Sequence, residues 1–166
     1  MPIEYRIDRE LRVVHHGFTG EIHLQDLEQH WRPFLSDPDL PDPLLMFADM
    51  RGCRIMVHGD DALYLVRRVI EPMLGTRRWV SAVAVSSSCD YGVTKQFIAY
   101  SDPFGETEVF MDARDAWRWL TARLEAQRSM QVDRTQRSGF TPVCVLVSAV
   151  GLALGSSQLI DALGLL

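Results

Sequence analysis

Short apolar runs alternate with longer amphipathic segments along most of this chain, and few folds accommodate that order. Residues 44–48 are a continuous apolar run and residues 79–85 a largely apolar, β-branched one, which is typical of strands that are buried on both faces of a sheet. Residues 60–74 lie between them and carry apolar side chains at helical spacing, such as Val66 and Ile70. Strands joined by a helix in this way predict a parallel sheet that is covered by helices.

The same alternation extends towards both ends of the chain. Residues 3–8 alternate apolar and polar side chains with period two, and a tight connection to the next apolar run indicates a hairpin. The predicted order is β-β-α-β-α-β-α-β-α, an α/β fold with a mixed, mostly parallel five-stranded sheet. The predicted strands are 3–8, 11–17, 44–48, 79–85 and 107–111, and the predicted helices are 23–36, 60–74, 91–100 and 113–128.

Composition changes once along the chain, near residues 129–139, which form a polar stretch. We therefore predict a domain over residues 1–128, a linker over 129–139 and an apolar C-terminal tail over 140–166. The apolar stretch that runs from Phe140 to Leu159 reaches the roughly 20 residues of a membrane helix only by including polar side chains. Three interpretations stay open: the tail contacts a membrane, it packs on its own domain or on a second copy, or it is an accident of the reading frame.

Charge and cysteine usage restrict the partners and the compartment. The net charge is −5, and Lys95 is the only lysine, so we expect no nucleic-acid partner. The three cysteines are widely spaced and form no C-x-x-C pair, and the first residues are polar rather than an apolar signal sequence. We expect a cytoplasmic protein, attached to the inner face of the membrane if the tail inserts.

Motifs of catalysis or metal binding are absent from the sequence. There is no G-x-S-x-G, no phosphate-binding loop and no dinucleotide-binding glycine motif. His15 and His16 are adjacent on a predicted strand, so their side chains point to opposite faces and do not bind one metal ion together. His23, His30 and His58 lack the spacing of metal ligands. We expect no enzymatic activity, no cofactor and no metal.

Polar residues gather where the predicted strands end, which is where open α/β sheets bind ligands. Asp49 and Arg51 follow the central strand. Their charged side chains could orient a small polar ligand or clamp a loop of a partner, and the alternative is a structural ion pair or a helix cap. Ser86 and Ser88 precede the third predicted helix, where their hydroxyl groups either hold an anion or cap the helix. Tyr91 follows and either lines a pocket or joins the core. These five residues are the predicted binding site.

Several local motifs occur in the order and spacing of a known family, and together they cover residues 3–120. Over this range the chain resembles the SpoIIAA-like family of STAS-related bacterial proteins, whose superfamily includes anti-sigma-factor antagonists and is akin to CRAL-TRIO lipid-binding domains. The resemblance implies a four-turn βα superhelix. The main motifs are Tyr5-Arg6-Ile7-Asp8, Phe47-Ala48-Asp49-Met50-Arg51-Gly52, and Val109-Phe110 running into Asp115-Ala116-Trp117-Arg118-Trp119-Leu120.

The resemblance leaves two functions open. In the signalling antagonists a phosphorylatable serine follows the central strand, but residues 49–59 contain no Ser or Thr here, so we expect no such switch. The first function is a non-enzymatic regulatory module that binds a protein partner or forms a homodimer. The second is a binder of a small apolar ligand such as a lipid, and an uncharacterised enzyme ranks third. An apolar cavity would favour the ligand binder, and a filled core with an exposed apolar patch would favour the interaction module.

Overall fold

Five strands form one mixed sheet in the computed structural model, which describes the backbone of residues 2–138 and the side chains of residues 2–130. The strands lie in sequence order, β1 is antiparallel to β2, and every later neighbouring pair is parallel. Their bounds are β1 Ile3–Asp8, β2 Val13–Ile22, β3 Leu44–Ile55, β4 Trp79–Ala84 and β5 Gly105–Phe110.

Helices connect the parallel strands in the predicted order. The second connection is continuous but changes from α-helix to π-helix and back, so it carries three labels. The bounds are α1 Leu24–Leu35, α2 Gly59–Tyr64, a π-helical segment Leu65–Ile70, α3 Glu71–Leu74, α4 Ser88–Ser101, a 3-10 turn Asp102–Phe104 and α5 Ala113–Ser138.

The two faces of the sheet have different covers because neighbouring strand residues point in opposite directions. On β3, Met46 packs in a core with α1 and the π-helical segment, whereas Leu45 packs with Ala116 and Leu120 of α5. Helices α1 to α4 therefore lie on one face and α5 on the other. Each parallel strand lies beside the preceding strand, and the helix that connects the two always crosses the same face of the sheet. This arrangement confirms the predicted α/β class and the βα superhelix.

Strands β2 and β3 are longer than the sequence pattern predicts, since they were expected to end near residues 17 and 48. They pair with each other as far as Ile22 and Ile55, with one register shift between Gly17 and Thr19. Backbone hydrogen bonds between the two strands satisfy the polar groups of a segment whose glycine and charged residues resemble a loop. As a consequence, Asp49 and Arg51 lie within a strand and not after it.

The last helix also exceeds its prediction, which ended it at residue 128. It continues to Ser138, so the residues 129–138 that were predicted as a linker are helical. No proline or glycine interrupts the chain between Ala113 and Ser138, and polar residues such as Gln and Arg form helices readily. The chain divides after Glu125 into two units, of which the first contains the whole sheet.

The predictions for the tail fall outside the described residues. These are the apolar tail of residues 140–166 and its membrane contact through residues 140–159. Within residues 2–138, none of the helices combines the length and the hydropathy that a bilayer crossing requires.

Candidate functional site

A cavity of about 100 Å³ lies between the sheet and the helices α1, α2 and α4. Strands β2 to β5 form its floor, and the π-helical segment contributes Leu65 to its wall. The lining is almost wholly apolar, and no Asp, Glu, Lys or Arg among the described residues takes part in it. Its bulkiest members are Phe18, Trp31, Met46, Met50, Trp79 and Phe97. This composition suits an uncharged apolar occupant.

The cavity exists because small side chains lie in the middle of the sheet floor. On the inward face of β3, Ala48 lies between Met46 and Met50, and on β4, Ser81 lies between Trp79 and Val83. The register places Met46 beside Ser81 and Ala48 beside Val83, so the two small side chains lie diagonally across neighbouring strands. The large rings around them hold the helices away from the floor.

Two buried histidines meet at one end of this site. His16 is on β2 beside Ala48, lines the cavity and is 4% exposed, while His30 is on α1 and is 3% exposed. His16 Nδ1 and His30 Nε2 lie 3.2 Å apart, which is hydrogen-bond distance. The ring of Phe34 lies 4.7 Å from the His16 ring and 5.5 Å from the His30 ring, measured between centroids.

Burial makes both histidines neutral at physiological pH. The pKa of His16 is lowered to about 3, mainly by desolvation, and the electrostatic interactions with His30 and His15 act in the same direction. Desolvation likewise lowers the pKa of His30 to about 4. A neutral imidazole donates a hydrogen bond through one nitrogen and accepts through the other, so the contact between the two rings is a hydrogen bond in one of two directions.

One nitrogen of this pair has no partner in the described part of the protein. His16 Nε2 is buried and makes no hydrogen bond to any described residue. Three other polar side chains around the cavity are bonded: Trp79 Nε1 donates to Thr107 Oγ1 at 3.0 Å, and Thr94 Oγ1 donates to the Asp90 carbonyl oxygen at 2.7 Å. Because buried polar atoms are almost always hydrogen-bonded, His16 Nε2 stands out as a group that a ligand could satisfy.

The predicted site residues Asp49 and Arg51 lie on the opposite face of the sheet. Arg51 donates to both carboxylate oxygens of Asp49, from Nε at 2.9 Å and from Nη2 at 2.7 Å. This hydrogen-bonded pairing lowers the pKa of Asp49 and raises the pKa of Arg51. The structure therefore joins the two residues to each other within β3.

The other three predicted residues divide between two surroundings. Ser86 Oγ donates to the Arg51 carbonyl oxygen at 3.1 Å, which links the end of β4 to β3. The residue that caps α4 is Ser87, so Ser88 is the exposed first residue of that helix. Tyr91 packs against a small core cluster that contains Val83 and Val109. The structure thus brings Ser86 to the Asp49–Arg51 pair and gives Ser88 and Tyr91 other environments.

Arg51 also borders an open, shallow cleft of about 630 Å³ on the face of the sheet that α5 covers. The cleft is lined by Arg51, Arg114, Arg118 and Trp117 together with two smaller residues of α5. Arg118 pairs with Asp115 at 3.0 Å, and Arg51 pairs with Asp49, so part of the positive charge is compensated. The cleft is a solvated surface, unlike the apolar cavity on the other face.

Among the described residues, no group of three or more His, Cys, Asp or Glu side chains converges. In the pair His16 and His30, one nitrogen of each ring is directed at the other ring, at a distance of 3.2 Å.

Sequence reasoning missed the pairing of His16 with His30, although each residue carried a signal. His30 lies on the apolar stripe of α1, three residues after Leu27 and four before Phe34. His16 alternates with Val14 and Phe18, whose side chains share its face of β2. One histidine on the apolar face of each of two successive elements is the pattern that could have suggested a buried pair.

Comparisons with known proteins give a likeness without a function. No family model matches the chain, and no curated protein matches it either. A solved structure that is similar to this chain is an uncharacterised protein of the DUF3478 family with a SpoIIAA-like fold from Shewanella loihica PV-4. The two chains are 21% identical, the match covers 71% of this chain and 93% of that chain, and the TM-score is 0.47. Its description names the fold that the sequence motifs resemble.

Proposed function

We propose that this protein is a non-enzymatic binding domain that holds a small apolar molecule in the cavity between the sheet and helices α1, α2 and α4. The observation that carries the proposal is the cavity itself, with its volume of about 100 Å³ and its nearly wholly apolar lining. Because the groups around the cavity are neutral and almost all apolar, we propose that the ligand is bound without chemical conversion.

The energetics of packing support this proposal. Protein interiors are close-packed, and voids larger than a water molecule are few. An apolar cavity of this volume lowers stability by about 2 kcal/mol relative to a filled core. A larger side chain in place of Ala48 or Ser81 would fill it, so the small side chains at these two positions leave room for an occupant. The π-helical segment that begins at Leu65 fits this view, because such segments are frequent at functional sites.

The volume narrows the class of ligand. Sites for drug-sized molecules usually measure about 300–1,000 Å³, whereas an apolar cavity of about 150 Å³ accepts benzene. At about 100 Å³ the present cavity is smaller than that, so a single ring is the upper limit of its ligand, and a ring or a short branched chain matches it better than a long acyl chain does. The proposed ligand is therefore a small apolar molecule, and large lipids are not proposed.

Nuclear magnetic resonance of methyl groups tests the proposal with benzene as the probe. Benzene is expected to shift the methyl signals of Val57, Val83 and Val93, which line the cavity. The methyl signals of Val13 and Leu120 are the control, because both residues pack on the other face of the sheet. If the cavity methyl signals stay unchanged up to the solubility limit of benzene, the proposal is wrong.

The regulatory or interaction module is the second candidate, and the cleft beside α5 favours it. Arg51, Arg114 and Arg118 line this cleft together with the half-buried ring of Trp117, while the chain as a whole carries a net charge of −5. An acidic surface of a second copy would complement the cleft, which makes a homodimer the partner that we propose. In native mass spectrometry a dimer supports this candidate, and a monomer throughout the micromolar range contradicts it.

A further inference from the structure

We infer that the ligand of the cavity carries one neutral hydroxyl group, which hydrogen-bonds to His16 Nε2 while the rest of the molecule contacts the apolar lining. This inference rests on the proposed function and adds the chemical class of the ligand. The candidates are small alcohols and phenols. Ionised carboxylates and amines are excluded, and pure hydrocarbons are disfavoured.

The first step of the argument is that His16 lines the cavity and has one ring nitrogen without a hydrogen-bond partner among the described residues. The His16 side chain lines the cavity and is 4% exposed. Its Nδ1 lies 3.2 Å from His30 Nε2 and is therefore engaged, whereas its Nε2 has no hydrogen-bond partner among the described residues. A buried polar atom of this kind favours an occupant that supplies the missing hydrogen bond over one that does not.

The second step is that the partner group must be neutral. No Asp, Glu, Lys or Arg side chain among the described residues lines the cavity, so an ionised group would be buried without a counter-charge. His16 itself cannot supply that charge near neutral pH, since burial holds its pKa far below the ordinary value. A fatty acid or an alkylamine would therefore enter only in its minor, uncharged form.

The third step selects a hydroxyl over a carbonyl group. If His30 donates to His16 Nδ1, then His16 Nε2 carries a proton and donates to the ligand; if His16 donates to His30, then Nε2 accepts. A carbonyl oxygen serves only the first arrangement. A hydroxyl group both donates and accepts, so it satisfies His16 Nε2 in either arrangement. His30 acts as a positioning residue that holds the His16 ring through Nδ1.

The experiment compares phenol with benzene, which differ by one hydroxyl group, on the full-length wild-type chain and on the variant His16→Leu. The ratio of the two dissociation constants is expected to move by about tenfold in favour of benzene when His16 is replaced, because the hydrogen bond to phenol is lost. The variant His15→Leu is the matched control. His15 is the next residue on β2 but stacks on Trp117 on the other face, so the ratio should remain that of the wild type.

A measurement on the wild type keeps the inference testable if His16→Leu does not fold. Phenol should change the ¹⁵N chemical shift of His16 Nε2, and benzene should not. If both rings bind while the ratio and the nitrogen shift stay unchanged, the inference is overturned and the proposed function stands. If neither ring binds, the inference and the proposed function both fall.

Discussion

His16 and His30 are the residues whose chemistry depends most on where the fold places them. Each would titrate near pH 6.5 in an open chain. In the fold they lie against each other and against the ring of Phe34, and burial keeps them neutral far below that pH. The result is a polar group without charge at the wall of an apolar cavity, which is suited to selecting an uncharged ligand.

The lowered pKa values of these histidines predict how stability depends on pH. The unfolded chain binds protons at both histidines near pH 6.5, whereas the folded chain keeps them neutral down to about pH 4 for His30 and about pH 3 for His16. The unfolded state therefore binds more protons in this window, and the free energy of unfolding falls as the pH falls. Each histidine contributes up to about 1.4 kcal/mol per pH unit.

Urea unfolding at pH 7.5, 6.0 and 5.0 measures this dependence. Carboxylates with lowered pKa values, such as Asp49 and Glu108, lose their contribution only at lower pH, so this range reports mainly on histidines. The pKa of His15 is also lowered by burial and adds in the same direction. The variant His16→Leu should show a smaller dependence than the wild type. Equal free energies of unfolding at pH 7.5 and 5.0 would contradict the buried, neutral pair.

The residues of the site were only partly predictable. The sequence placed His16 on a strand and Asp49 and Arg51 near the end of another, because alternation and apolar runs are local signals. It did not bring His16 to His30, since that contact depends on how α1 packs over β2, and no local pattern specifies that packing. Asp49 and Arg51 were expected at the edge of the sheet where ligands bind. They lie two residues apart on the same face of β3 and form an ion pair with each other.

At the scale of elements, the order of strands and helices followed from the sequence, while their ends did not. Apolar periodicity identified all five strands and the helices between them. The extensions of β2 and β3 depend on each other, because each supplies the backbone partners of the other as far as Ile22 and Ile55. Such mutual pairing is non-local. It can turn polar, glycine-containing segments into strand wherever a neighbouring strand is available.

Two glycines provide a test of the packing of β5 and α4. At Gly105, the start of β5, an added Cβ would overlap the carbonyl oxygen and the ring of Trp79. We expect Gly105→Ala to lower the free energy of unfolding by about 1–3 kcal/mol, because the edge of the sheet must shift away from a buried tryptophan. Thermal or urea unfolding of the variant measures the effect.

Gly92→Ala is the matched control for that change. Gly92 lies in α4 with open space around its Cβ position and without a positive φ. Alanine there should raise stability by about 0.5–1 kcal/mol through its higher helix propensity. Opposite signs for the two substitutions support the described packing, and a stable Gly105→Ala variant is incompatible with it.

At the scale of the whole domain, the sheet separates two surfaces with different properties. The face under α1 to α4 contains an apolar cavity, and the face under α5 contains an open cleft lined with arginines. We propose a ligand site on the first face and a partner surface on the second. The cavity is the better-defined site, since it combines an apolar lining with one buried nitrogen that has no hydrogen-bond partner in the part of the chain that the structure describes.

The most direct test is the stabilisation of the protein by benzene, compared between the wild type and a variant with a filled cavity. Ala48→Leu fills the cavity from its floor, and Ala122→Leu, at an exposed site on α5, is the matched control. At a benzene concentration tenfold above its dissociation constant, the wild type and Ala122→Leu should each gain about 1.4 kcal/mol in free energy of unfolding, whereas Ala48→Leu should gain nothing. Equal stabilisation of all three proteins, or of none, would contradict a ligand site in this cavity.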